Sequence, residues 1–206
     1  MAKTPGKRKL HSESKRELII EKSLELFRRY TYEKTTITDI CDECGVNVGT
    51  VYHFFGSKWG ILEAISSKMF VSGVLTENVS KRVLDPYKAL MEFHLDYAKR
   101  WTELGVDLTM HFYSNFQKLS DSPAPPNYPS MGAVKELGLF IRKAQEAGTF
   151  DADADAMETA GLIILLGRGV VYDWCLHGGT YDLAEKSAEV MGMITKFLIA
   201  GISVAA

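Results

Sequence analysis

The tightest constraint on the fold lies in the stretch from Thr36 to Phe55. Thr36 followed three residues later by Asp39 is a capping-box pattern, with Asp in place of the usual Glu, and it opens a helix. Ile37, Ile40, Cys41 and Cys44 then fall at i, i+3, i+4 and i+7, a single apolar stripe. Gly45 is the left-handed residue that ends a helix, and Asn47 is a favoured N-cap for a second helix over Val48–Phe55. Only Gly45-Val46-Asn47 separates the two. Two short helices on a glycine-led, three-residue turn form a helix-turn-helix pattern. The preceding segment starts near Ser12 or Ser14 and stops near Tyr30–Tyr32. Its Ile19, Ile20, Ser23, Leu24, Leu26 and Phe27 form one broad face, so it is predicted to be the third helix of this head.

The rest of the chain reads as helix without strands. A fourth helix follows Gly56, capped by Ser57. Residues 86–104 place Leu90, Phe93, Tyr97, Trp101 and Leu104 at helical spacing, and a shorter helix is predicted over 106–118. The prolines at 123, 125, 126 and 129 make Ser120–Ser130 a loop. Further helices are predicted over 131–147, 153–176 and 181–200, the last two separated by Gly178-Gly179. The expected fold is all-α, with about nine helices. Residues 1–11 read as a disordered basic arm, 12–58 as the helix-turn-helix domain, and 59–206 as a helical body.

Charge supports the division. Residues 1–60 hold 11 Lys+Arg against 8 Asp+Glu, whereas residues 61–206 hold 13 against 18. A basic N-terminal portion suits a polyanion, because neutralising phosphates releases counterions. Three cysteines, an odd and sparse count, fit a reducing compartment. The polar N-terminus carries no secretory pattern, and charged residues interrupt the apolar stretches near 161–167 and at the C-terminus. The expectation is a cytoplasmic protein with no membrane association.

The segment Ile19–Leu62 resembles the tetracycline-repressor (TetR) family. The matches are Leu24, Leu26, Phe27, Tyr32, Thr35, Thr36, Ile40, Gly45, Val46, Gly49, Thr50, Tyr52, Phe55, Lys58 and Leu62, in register without a gap. The late Gly179–Leu183 run matches as well. The resemblance implies a DNA-binding head on a ligand-binding, dimerising body. It places Thr36, Asn47, Val48, Gly49, Thr50, Tyr52, His53 and Lys58 at DNA. Val48 and His53 are the candidates for base readout. The others position the protein on phosphates. Two departures stand out. Thr31 occupies a position where the family often has glycine, so that turn should be strained. Trp59-Gly60 replaces the usual pair after the lysine, and glycine in a first helical turn costs up to ~1 kcal/mol.

Other constellations carry less. Cys41-x-x-Cys44 lies on a buried stripe without a second Cys/His pair, so small apolar filling is the reading, with a thiol or metal sensor as the alternative. Asp151-x-Asp153-x-Asp155 begins like a calcium loop. However, Ala156 and Leu162 stand where Gly and Glu are needed, so these acids are expected to cap a helix. The aromatic stretch 90–116 suggests a pocket, with Tyr97, Trp101, His111, Tyr113 and Phe140 as lining. The last two helices are so apolar that Ile163, Leu166, Val170, Trp174, Met193, Ile194 and Phe197 are expected at a two-fold interface. No catalytic constellation, metal site or cofactor motif is found. The functional expectation is a homodimeric regulator on a palindromic double-stranded DNA operator. It is expected to be a repressor released by a small-molecule effector. Activation, or dependence on a corepressor, is left open by the sequence.

Overall fold

The computed structural model describes residues 7–69, 79–119 and 129–200. Among the described residues there are ten helices and no strand. They are α1 (Lys7–Tyr30), α2 (Ile37–Cys44), α3 (Val48–Phe55), α4 (Lys58–Met69), α5 (Val79–Arg82), α6 (Pro86–Leu104), α7 (Val106–Leu119), α8 (Pro129–Glu146), α9 (Ala156–Leu176) and α10 (Leu183–Ala200). Since α5 is a single turn, nine substantial helices remain, as expected. The chain forms two compact units. One comprises Met1–Lys68 with His111–Asp121, and the other comprises Met69–Met110 with Ser122–Ala206.

In the first unit α1 begins at Lys7, five residues before the earliest start read from the sequence. Residues 7–11 of the expected arm are thus helical, and the remainder of that arm lies outside the described residues. The core of this unit is built from Ile19, Ile20, Leu26, Phe27, Ile40, Val51, Ile61, Leu62 and Ile65, all buried. The rings of Phe27 and Tyr32 lie 5.1 Å apart and close the end of α1. Thr31 sits between them with φ 71°, the one non-glycine residue with positive φ among the described residues. The strain expected there is present, because a β-branched side chain has little room in the left-handed region.

The second unit has its own core. Leu90 and Phe93 of α6, Leu137, Phe140 and Ile141 of α8, Ile163 and Ile164 of α9, and Met191 of α10 form one buried cluster. Here α6 packs chiefly on α10, and α8 on α9. Asp85 caps α6 by accepting the Lys88 N–H at 3.0 Å, with Pro86 at the first helical position. The acidic run before α9 acts as a cap, but through Asp155 and not Asp151 or Asp153. One Asp155 oxygen accepts the N–H groups of Met157 (2.9 Å) and Glu158 (2.8 Å). Those bonds hold its carboxyl below the usual range. The proline-rich segment 120–128 lies outside the described residues.

α9 is long and apolar enough to cross a membrane, but half of that stretch is buried in this unit. A core helix passes the same test.

Candidate nucleic-acid interface

The helix-turn-helix is fixed by local hydrogen bonds that its sequence foreshadows. Thr36 and Asp39 form a complete capping box. The Asp39 N–H donates to Thr36 Oγ1 (3.1 Å), and the Thr36 N–H donates to Asp39 Oδ2 (2.7 Å). These bonds lower the Asp39 carboxyl below its ordinary value. Gly45 adopts φ 61°, and its N–H donates to the Asp42 carbonyl. The Val46 N–H donates to the Cys41 carbonyl at 3.0 Å. Asn47 then caps α3, its Oδ1 accepting the Thr50 N–H (2.8 Å) and the Thr50 hydroxyl (2.9 Å). Val51 is fully buried and anchors α3.

With Val51 inward, the other side of α3 is presented outward. Val48, Gly49, Tyr52 and His53 are exposed, and Tyr52 keeps 50% of its surface accessible. Asn47 and Gly49 lie side by side at the entry of α3. A Cβ on Gly49 would meet Asn47 Oδ1 at 3.4 Å. This end of α3 offers its unpaired N–H groups, a phenol, an imidazole and an apolar contact to one surface. An anionic groove with readable base edges matches that set.

Thr36 and Lys58 differ from expectation. The Thr36 hydroxyl donates to Asp39 Oδ2 at 2.7 Å, so its proton is spent within the capping box and is not held out for a phosphate. The Lys58 ammonium is turned inward. It donates to the Tyr32 carbonyl at 2.8 Å and the Thr35 carbonyl at 3.0 Å, and lies 4.4 Å over the Tyr32 ring. The loop between α1 and α2 presents carbonyls without helical partners, and these compete for the cation. Lys58 therefore ties α4 to that loop. Gly60 has an equally structural reason. A Cβ there would fall far inside the van der Waals envelope of the Phe55 carbonyl. The helix α4 begins at Lys58, with the Gly60 N–H on Ser57 Oγ at 3.0 Å, so the glycine permits the α3–α4 approach and does not loosen the helix start.

The cysteines read as packing. Burial pushes the Cys44 thiol up to about 11 and raises Cys41 as well, so neither is a ready thiolate. No cluster of metal-ligating side chains is found among the described residues.

The expected pocket residues are divided between the two units. Tyr97 and Trp101 lie buried on α6 in the second unit, while Phe140 belongs to that unit's core cluster. His111 and Tyr113 fall in the first unit. There the His111 ring lies 4.6 Å from Tyr32, and its Nδ1 lies 3.6 Å from Glu33 Oε1. Aromatic spacing along the chain cannot say which unit a residue of α7 joins. Three other residues of the second unit carry unsatisfied polar atoms: His94 Nε2, Arg168 Nε and Thr195 Oγ1 are buried without a hydrogen-bond partner. The signal for Arg168 was its position as a lone charge in the apolar run of α9.

The expected interface residues also divide. Ile163, Val170 and Trp174 are buried within the protomer, and Trp174 donates its indole N–H to the Tyr181 carbonyl at 3.1 Å. They are core. Ile194 packs half-buried against the same core. Leu166, Met193 and Phe197 are exposed. Leu162, Leu165, Tyr172 and Leu176 on α9 join them in exposure. Because α9 is apolar on most of its circumference, its pattern alone does not separate the inward stripe from the outward one.

Residues 19–65 match the family model described as bacterial regulatory proteins, tetR family. The helix-turn-helix head is thus similar to that of the TetR family. It is 23% identical over 194 residues to the HTH-type transcriptional regulator UidR of Escherichia coli K12, covering 89% of this chain and 90% of the relative. The fold is shared with FadR of Thermus thermophilus, a TetR family repressor solved with lauroyl-CoA (TM-score 0.68, 20% identity, 93% and 98% of the two chains). It is also shared with FadR of Bacillus subtilis, solved with stearoyl-CoA (TM-score 0.59, 19% identity, 90% and 98%). With these likenesses, the chain is a sequence-specific, helix-turn-helix transcriptional regulator.

Proposed function

We propose that the protein is a repressor that binds a palindromic operator as a homodimer and is released by a small molecule held in the second unit. The observation that carries the DNA half is the outward face of α3. Val48, Tyr52 and His53 are exposed on a helix whose turn, caps and Val51 anchor leave it little freedom. Val48 and His53 reach base edges; Tyr52, Asn47, Thr50 and the Gly49 backbone lie against phosphates. A homodimer sets two such helices about one DNA turn apart. The outward apolar stripe of α9 and α10, with Leu166, Met193 and Phe197, supplies the contact.

The acyl-CoA held by the two FadR proteins supports a small-molecule effector, without naming the one that acts here. The helix α7 is shared: Val106–Met110 belong to the second unit, and the residues from His111 onward to the first. A ligand favouring one arrangement of such a helix would change the affinity of the head for DNA in proportion to its differential affinity for the two states. Repression takes place in the cytoplasm.

The test is binding of the full chain to its own upstream DNA, titrated with salt. Selective binding that weakens steeply with salt, and that Tyr52→Ala and His53→Ala impair, is the expected outcome. Equal affinity for all sequences would overturn the operator reading.

A further inference from the structure

We propose that the effector site of the second unit takes a small carboxylate with an apolar body, its carboxylate paired with Arg168 and its body laid on the Phe93–Tyr97–Trp101 stripe of α6. This inference rests on the reading of that unit as the effector site. Arg168 projects from the apolar helix α9 with Nε buried, and no carboxylate of the described residues forms an ion pair with it. Arg168 is half-buried overall, but its Nε donor is withdrawn from water without an acceptor, and such an unmet donor is costly unless a ligand completes it. Its planar fork matches a carboxylate in a bidentate pair.

The surroundings of Arg168 suit the remainder of such a molecule. Gly167, its neighbour in the chain, has the Tyr97 ring 3.7 Å from where a Cβ would stand, so Arg168 leaves α9 beside the Tyr97 face of α6. The same guanidinium acts electrostatically on the Tyr97 phenol. His94, Tyr97 and Trp101 follow at i, i+3 and i+7, one face of α6. Tyr97 stacks on Phe93 at 6.2 Å and meets Trp101 edge-on at 6.0 Å. His94 is almost fully buried with Nε2 unsatisfied, a second polar atom on this face for which the protein provides no partner. A cation, a buried imidazole and three contacting aromatic rings together select an anionic head on an apolar body over a sugar or a neutral hydrocarbon.

The test is thermal unfolding of the full chain with acetate and with phenylacetate at constant ionic strength, each against its uncharged primary amide. The acids are expected to raise the midpoint and the amides to leave it unchanged. Arg168→Met should abolish the gain, weakening phenylacetate by about thirtyfold or more. Without added acid it should unfold at the same temperature as the parent or higher, since it removes an unmet buried donor. Arg168→Lys, which keeps the charge and loses the fork, should respond weakly. Acids and amides acting alike, neither acid acting, an undiminished response in Arg168→Met, or a lowered midpoint of that variant without acid would each overturn the site. Titrating the same acids into the protein–DNA complex separates the two readings. An Arg168-dependent thermal gain without DNA release keeps the carboxylate site and ends the effector role. Release by neutral compounds that Arg168→Met leaves intact keeps the effector role and ends this site.

Discussion

The Lys58 ammonium donates to the carbonyl oxygen of Tyr32 at 2.8 Å and lies 4.4 Å above the ring of the same residue. One cation thus closes the C-terminal end of α1 through a charged hydrogen bond and a cation–π contact, and holds α4 to the α1–α2 loop. Replacing it by methionine keeps the stem and removes the donor. The expected loss is about 1.5–3 kcal/mol of stability, read from urea unfolding. DNA affinity should fall only as far as the folded fraction does, with the salt slope unchanged. Tyr52→Phe should behave oppositely: stability within about 0.5 kcal/mol of the parent and weaker operator binding. A Lys58→Met variant whose salt slope drops by about 1 would instead place the ammonium on a phosphate.

Thr31 offers a stabilising change. Its φ of 71° is paid by a β-branched residue on an exposed turn. Glycine adopts that geometry without a Cβ clash, and the Thr31 carbonyl that accepts the Thr35 hydroxyl at 2.8 Å is kept. Thr31→Gly should raise stability by about 1 kcal/mol, seen as a higher unfolding midpoint with unchanged DNA binding. A lower midpoint would show that the threonine side chain supports the turn.

Gly60→Ala should act in the other direction. The added methyl would press on the Phe55 carbonyl, a backbone atom that cannot swing aside, at the junction of α3 and α4. A loss of about 2–3 kcal/mol is expected, together with weaker operator binding as α3 is displaced. Chemical denaturation and a DNA titration of the same preparation test both effects.

The head was legible because its signals are local. Thr36 with Asp39, Gly45, and Asn47 with Thr50 each satisfy their backbone groups within three or four residues, so the sequence carries the hydrogen bonds almost in full. Lys58 was harder to read, because its partners Tyr32 and Thr35 lie more than twenty residues back and are main-chain atoms that any sequence would offer. In the second unit the difficulty is one of faces. Ile163 and Leu166 are both apolar and lie three residues apart on α9, yet one is fully buried and the other exposed. Only the packing of α8 and α10 decides between them. His111 shows a similar limit, since its aromatic surroundings fit a pocket in sequence but belong to Tyr32 and Glu33 in space.

His94 gives the chain a pH dependence. Burial lowers the imidazole to about 4 from an ordinary 6.5, so the folded protein holds it neutral. Between these values the unfolded chain binds a proton that the folded chain refuses. The stability contributed by His94 is therefore complete above about 6.5 and is lost as pH falls towards 4, by up to about 3 kcal/mol. His94→Gln should flatten the stability curve over that interval. The lowered carboxyls of Asp39 and Asp155 act separately, their contribution being lost only below the ordinary carboxylate value of 3.8. A stability profile between pH 7 and 4 that is identical in the parent and His94→Gln would show that the imidazole is protonated without penalty.

Phe197 decides what the outward stripe does. It is 58% exposed, with Met193 one turn earlier on α10 and Leu162, Leu165, Leu166 and Leu176 exposed on α9. So much apolar side chain in contact with water is a cost for a lone protomer, and burial against an identical stripe removes it. In the proposed homodimer, Phe197→Asp would place two facing carboxylates across the two-fold contact while leaving the core cluster around Leu90 and Phe140 untouched. Sedimentation velocity should then show monomer at concentrations where the parent is dimeric. Operator affinity should also fall, because each head binds its half-site without the other's effective concentration. Ile163→Ala should do the reverse. It should lose about 2–5 kcal/mol of folding stability through a core cavity, while the folded fraction stays dimeric. A Phe197→Asp variant that remains a dimer would move the interface off this stripe, and would leave its exposed leucines to be explained by another partner.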